Sequence, residues 1–237
     1  MMNKQPLLLL IETATEVCSV ALSRGTEIIG IKENAEGLSH AKSLLPFIDT
    51  VLGDNNLTAK DLDGVVVSAG PGSYTGLRIG ASTAKGIAYT AGIPLISVGT
   101  LFGIAASCLG QPDAAGQGST LIAPMIDARR MEVFTAVFDG GLSTVEEVSA
   151  KIIDENSFHN YLEERIVMFC GNGMPKCRDI LSKHPNARFV EERVSAKNLL
   201  IPALSKWENG DFEDTAYFEP FYLKEYVAGK PVVKGLS

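Results

Sequence analysis

The hydrophobic pattern changes abruptly in the first third of the chain, and this change sets the fold class. Residues 65–67 are three valines, a β-branched run that predicts a buried strand. After the Gly-Pro-Gly turn at residues 70–72, apolar residues recur about every 3.6 positions up to Ala91, which predicts a helix. Ser73 or Thr75 can cap its first turn. A strand joined by a tight turn to a long helix is typical of α/β folds, and a helix N-terminus favours an anion.

The glycine turn does not match the standard nucleotide-binding motifs. A P-loop carries lysine after its last glycine, where this chain has Leu77. The third glycine of a Rossmann fingerprint would come one residue before Gly76. Ser73 lacks the flanking glycines of a nucleophile elbow. Two interpretations stay open: an anion site, or a turn that only joins the strand to the helix.

The elements around this turn predict one α/β lobe. They follow the order β-β-β-α-β-α-β, with strands at residues 7–12, 19–23, 27–32, 65–69 and 93–98 and helices at residues 38–52 and 75–91. Because this lobe is complete near Gly99, we predict a first domain at residues 1–99 and a smaller second domain at residues 100–237. The sequence leaves open whether the extreme C-terminus packs back on the first lobe.

The second domain shows its own strand and helix signals. They predict helices at residues 100–109, 174–181 and 195–207 and strands at residues 120–126, 131–138 and 167–170. The aromatic run at residues 217–223 has one neighbouring cation, Lys224, so a core strand is favoured over a surface that stacks bases.

Composition and charge restrict the function classes. The chain has 237 residues and a formal net charge of −7. Since phosphate contacts need clustered lysine and arginine, we expect nucleic acid to be reached through a partner. The four cysteines have no CxxC spacing, and no apolar run is long enough for a signal peptide or a membrane span. These features favour the cytoplasm and no membrane contact.

Four segments carry a resemblance to a known family. They are the opening strand pair at residues 11–22, the sequence Gly-Pro-Gly-Ser-Tyr-Thr-Gly-Leu-Arg-Ile-Gly at residues 70–80, the hairpin at residues 126–134 and Pro-Phe-Tyr-Leu-Lys at residues 220–224. In this order they resemble the TsaB (YeaZ) family. The resemblance implies an α/β chain with the two-lobed actin-like ATPase or ribonuclease-H-like fold of the ASKHA superfamily, with a reduced second lobe.

The resemblance also implies a role. Members of that family are non-catalytic assembly subunits in the threonylcarbamoyladenosine modification of tRNA, at the adenosine beside the anticodon. The implied partners are the catalytic paralogue TsaD and a TsaE-like ATPase, with tRNA reached only through the complex. In isolation a homodimer is expected. No cofactor is expected, apart from weak ATP or ADP contact at a complex interface.

The residues that would hold a phosphate in the ATPase relatives are altered here. Those relatives begin their first phosphate hairpin with Asp-x-Gly, whereas this chain has Glu12 and no following glycine. The second hairpin turn, at residues 127–130, also lacks glycine. We therefore predict no catalytic residue and at most a vestigial anion or nucleotide site, comprising Glu12, Thr13, Thr15, Gly70, Gly72, Ser73, Asp127 and Arg129. The alternative is a degenerate ATPase or phosphotransferase.

Histidine placement argues against metal chemistry. A helical metal pair with His40 would need histidine at position 44, which is Leu44. A glycoprotease-like metallopeptidase, a label attached to relatives of this fold, is disfavoured for the same reason, and no metal site is predicted.

Small residues repeat every four positions along the helix that follows the glycine turn. Such a stripe lets another backbone pack closely, and each interior glycine costs about 1 kcal/mol of helix stability. The stripe faces either a partner or this chain's own sheet; the family resemblance implies a partner, which this helix and the preceding one would contact. The predicted partner interface is Leu38, Ala41, Leu44, Leu45, Ile48, Gly76, Leu77, Gly80, Ala81, Ala84 and Ala88.

Overall fold

The first sheet contains the chain's earliest strands. In the computed structural model, which describes residues 5–34, 40–109 and 120–224, it has the strand order β3-β2-β1-β4-β5. Its strands are β1 (Leu7–Glu12), β2 (Cys18–Arg24), β3 (Glu27–Asn34), β4 (Gly64–Ser68) and β5 (Leu95–Val98). β1, β2 and β3 are antiparallel neighbours, and β4 and β5 run parallel to β1. Because β1 is central and covered on both faces, all of its residues are buried.

Helices cover both faces of this sheet. On one face, α1 (His40–Asp54) packs on β2 and β3, and α2 (Tyr74–Ala91) packs mainly on β4. On the other face lie a 3₁₀ turn (Ala196–Leu199) and α6 (Leu200–Asn209). Residues from late in the chain therefore complete the first lobe's core, and the domain division at Gly99 stays a prediction.

The second sheet repeats the topology of the first. Its order is β10-β9-β6-β7-β8, with β6 (Leu121–Asp127), β7 (Glu132–Phe138), β8 (Thr144–Ile152), β9 (Val167–Cys170) and β10 (Ala187–Phe189). As in the first sheet, three consecutive antiparallel strands are extended by two parallel ones. Its short helices are α4 (His159–Leu162) and α5 (Met174–Leu181), while α3 (Thr100–Cys108) contacts both the second sheet and the segment that covers the first. The predicted two-lobed α/β fold is confirmed.

The aromatic run near the C-terminus is not a strand, which corrects that prediction. Residues 211–224, here called the strap, cross the edge of the first sheet as irregular backbone. A single bridge pairs Glu213 with Leu95 of β5, and Phe218 is buried in the core beneath α2. The rings therefore satisfy local packing without a ladder of strand hydrogen bonds.

Candidate functional site

A cleft of about 580 Å³ lies between the two lobes. Three segments contribute to its lining: the turn after β1, the N-terminus of α2 and the turn between β6 and β7. Of the predicted vestigial residues, Thr15, Gly72, Ser73, Asp127 and Arg129 line this cleft. Glu12, Thr13 and Gly70 do not; they lie behind its surface and are buried.

The Glu12 carboxyl group is directed inward, at the amides of its own turn. One of its oxygens accepts hydrogen bonds from the N–H of Ala14 at 2.6 Å and from the hydroxyl of Ser68 at 2.9 Å. Burial raises the pKa of Glu12 to about 7, and hydrogen bonds from Ala14, Ser68 and Thr13 offset part of that effect. The interior of the turn after β1 is thus filled by the Glu12 side chain.

The N-terminus of α2 is pressed against the same turn. The N–H of Ser73 donates to the carbonyl of Ala14 at 2.6 Å, and the hydroxyl of Thr13 donates to the carbonyl of Gly76 at 2.8 Å. A β-carbon at Gly72 would lie 2.3 Å from the Ala14 oxygen. The turn-shaping interpretation of these glycines therefore accounts for their positions, since they allow two backbones to touch.

Lys176, which is not among the predicted site residues, stabilises the turn between β6 and β7. Lys176 from α5 forms an ion pair with Asp127 and donates to the carbonyl of Glu132 at 2.7 Å. Partial burial alone would raise the pKa of Asp127, but the hydrogen bonds from Lys176 and from the N–H of Arg129 hold it below its ordinary value. The Asp127 carboxylate therefore stabilises this turn through its contacts with Lys176 and Arg129.

Polar contacts cross the cleft at its mouth. The Asn172 side chain donates to Glu16 at 2.8 Å, and its carbonyl oxygen accepts from the N–H of Asp127 at 3.2 Å. On the first lobe, an imidazole nitrogen of His40 lies 2.9 Å from the carbonyl oxygen of Thr15. Sequence reasoning does not single out Asn172, because a Gly-Asn-Gly turn after a strand is common.

The described ranges show no group of three or more His, Cys, Asp or Glu side chains arranged to hold a metal ion. The four cysteines, all buried and free of disulfides, are Cys18, Cys108, Cys170 and Cys177. In the same part of the chain, no helix is long and apolar enough to cross a membrane.

Burial corrects the predicted partner interface. Most of its residues pack inside this chain: Leu44, Ile48, Gly76, Leu77, Gly80, Ala81, Ala84 and Ala88. The physical reason is the close approach of α2 to the turn after β1. Only the face of α2 that carries glycine and alanine can come this near to the sheet and its turns. Ala41 and Leu45 are exposed, and Leu38 lies outside the described residues.

Both helices nevertheless carry exposed residues on the side away from the sheet. These residues are called here the outer face and comprise Ala41, Leu45, Ser82 and Tyr89. Leu45 is 57% exposed and Tyr89 is 81% exposed, which is high for large apolar side chains.

Comparison with known proteins identifies related sequences along nearly the whole chain. The family model described as "TsaD: tRNA N6-adenosine threonylcarbamoyltransferase" matches residues 28–224. The chain is 29% identical to the tRNA threonylcarbamoyladenosine biosynthesis protein TsaB of Haemophilus influenzae, over 94% of this chain and 95% of that protein. It is 31% identical to the Bacillus subtilis protein of the same name, over 70% of each chain.

Solved structures from Pseudomonas aeruginosa share the architecture. One, described as an uncharacterized protein with similarity to peptidase YeaZ, has a TM-score of 0.76 and 24% identity, covering 92% of this chain and 100% of that one. The other, YeaZ itself, has a TM-score of 0.71 and 23% identity with the same coverage. At these identities the likeness concerns the fold alone.

Proposed function

The chain belongs to the TsaB (YeaZ) family, and from this we propose that it is a subunit of tRNA threonylcarbamoyladenosine biosynthesis that assembles the modifying complex and does no chemistry itself. The family relationship supports the pathway, since TsaB proteins align with nearly the full length of this chain. A role on tRNA also implies a cytoplasmic location.

The observation that carries the non-catalytic role is the inward-facing carboxyl group of Glu12. It accepts the turn's hydrogen bonds at the place where the fold's ATPases would wrap a phosphate. The N–H of Ser73 is likewise engaged by the carbonyl of Ala14. These residues do not fit the phosphates of ATP, and no reaction step is assigned to a nucleotide.

The proposed partners follow from the same family relationship. The chain matches a TsaD family model, so we infer that it pairs with a TsaD-like catalytic paralogue and that a TsaE-like ATPase joins them. The outer face of α1 and α2 is the proposed contact, because Leu45 and Tyr89 expose apolar surface there. Without its partner, the chain forms a homodimer through the same face. A net charge of −7 means that the partner supplies most of the basic surface for tRNA.

Two arginine substitutions test the outer face. Leu45→Arg, at an exposed position, is expected to keep the melting temperature within a few degrees and to abolish dimer or complex in analytical ultracentrifugation. Ala84→Arg is the matched control on the buried face: it should cost several kcal/mol of folding free energy, because a charge would enter the core. A Leu45→Arg chain that still pairs at wild-type affinity would refute the proposed contact.

The second candidate, a degenerate ATPase or phosphotransferase, is tested by calorimetry. Titrating Mg-ATP into the isolated chain should give no saturable heat, or a dissociation constant above about 1 mM. A titration of Mg²⁺ alone provides the blank. Micromolar binding, together with an ATPase rate that Glu12→Ala abolishes, would overturn the non-catalytic role and favour this candidate.

A further inference from the structure

A second groove, of about 340 Å³, lies along the strap and shares no lining residue with the interlobe cleft. Its floor includes Ala69, just after β4, and Ser97 of β5. Its walls are strap residues, among them Tyr217 and Phe221. The groove is therefore a separate feature of the first lobe.

The backbone beneath these walls is fixed at several points. The N–H of Glu213 donates to the carbonyl of Leu95 at 2.8 Å, and the N–H of Phe221 donates to the carbonyl of Ala69 at 2.7 Å. The Lys85 ammonium group of α2 donates to the carbonyls of Ala216 at 3.2 Å and Phe218 at 2.9 Å. The strap is thus preorganised, which lowers the entropic cost of binding.

Two aromatic rings project from this fixed backbone. Tyr217 is 83% exposed and Phe221 is 49% exposed, whereas Phe218 between them is buried at 7%. The buried ring anchors the strap, whereas most of the Tyr217 side chain and half of the Phe221 side chain remain accessible. Large exposed rings beside a groove are characteristic of binding surfaces.

The groove is also acidic. Glu213, Asp214 and Glu219 line it, and none of them forms an ion pair with a residue in the described ranges. Glu213 instead bonds the Ser97 hydroxyl, and Asp214 accepts the N–H of Ala216 at 2.8 Å. The nearby cation, Lys85, has its ammonium group turned to the strap carbonyls. Three carboxylates repel phosphate, so the charge pattern excludes nucleic acid and favours a cationic occupant.

We propose that the strap groove docks an arginine-bearing segment of a partner protein, whose guanidinium group lies against the rings of Tyr217 and Phe221 and pairs with the carboxylates. Arginine fits better than lysine, because its planar group stacks on a ring face while donating two hydrogen bonds to a carboxylate. This inference goes beyond the assembly role above and does not depend on the outer face.

Peptide binding to the full chain tests the proposal. A labelled peptide of alternating arginine and glycine, followed by fluorescence anisotropy, should bind several times more tightly than its lysine counterpart, and a glutamate counterpart should not bind. Tyr217→Ala should weaken the arginine peptide about fivefold, and Glu219→Lys should weaken it further. Ile152→Ala and Glu147→Lys, at exposed positions of β8 on the other lobe, are matched controls that should change nothing.

Three results would overturn the proposal. Equal binding of the arginine and lysine peptides would indicate unspecific charge attraction. A Tyr217→Ala chain that is folded by circular dichroism and binds as the wild type does would exclude the ring contact. Tighter binding after Lys230→Glu and Lys234→Glu together would show that the chain's own C-terminal residues, and not a partner, compete for the groove.

Discussion

Gly76→Ala is expected to lower the free energy of unfolding by about 3 kcal/mol or more, although alanine is the better helix former. A β-carbon at this position would lie 2.1 Å from the carbonyl oxygen of Thr13. That oxygen belongs to backbone, so it cannot swing aside as the end of a flexible side chain could. The variant must push α2 away from the turn after β1, and it weakens the 2.8 Å hydrogen bond from the Thr13 hydroxyl to the Gly76 carbonyl.

Gly86→Ala on the same helix is the matched control for this prediction. A β-carbon there would meet nothing within 4 Å, so this variant should gain about 0.5–1 kcal/mol from helix propensity alone. Thermal unfolding should therefore separate the two variants by about 10 °C, with shifts of opposite sign. Equal shifts would contradict the close contact between α2 and the turn and would reopen the partner-facing interpretation of the stripe.

The strands that are best located from the sequence are the ones buried on both faces. Residues 7–12 and 167–170 are predicted with the bounds of β1 and β9, because a covered strand needs a continuous apolar run. β8 is missed, since it is an edge strand in which exposed and half-buried residues are mixed. Residues 217–223 of the strap are wrongly predicted as a strand because aromatic side chains are typical of strands whether or not their backbone is paired.

At the cleft, the sequence indicates which turns carry unusual residues. It does not give the orientation of their side chains. A carboxylate at position 12 is predictable as an altered phosphate turn, yet its inward orientation depends on Ser68, 56 residues away. Lys176 approaches Asp127 only because the β6–β9–α5 unit folds back on the turn. Likewise, the small-residue stripe predicts close packing, but periodicity cannot say whether the neighbour belongs to the same chain.

Glu12→Gln is expected to change how folding stability depends on pH. The pKa of the Glu12 carboxyl group is ordinarily 4.5 and is about 7 in the folded chain, because burial disfavours its charged form. Its contribution to stability is fully present below about pH 4.5 and is lost as the pH rises through 7. The full loss amounts to about 3 kcal/mol, since each pH unit between the two pKa values corresponds to about 1.4 kcal/mol. Glutamine cannot ionise, so the variant should escape this loss.

The test compares the free energy of unfolding of Glu12→Gln with that of the unmodified chain. Both free energies are measured by denaturant titration at pH 5 and at pH 8. The amide still accepts hydrogen bonds through one oxygen, so any penalty of the substitution itself is common to both conditions. The variant should therefore gain about 2–3 kcal/mol relative to the unmodified chain between these two pH values. Glu147→Gln, at an exposed site on β8, is the matched control for the loss of one carboxyl group. If the difference for Glu12→Gln does not change between the two pH values, the Glu12 carboxyl group ionises freely in the fold and is not buried beneath its turn. That result would remove the observation on which the proposed non-catalytic role rests.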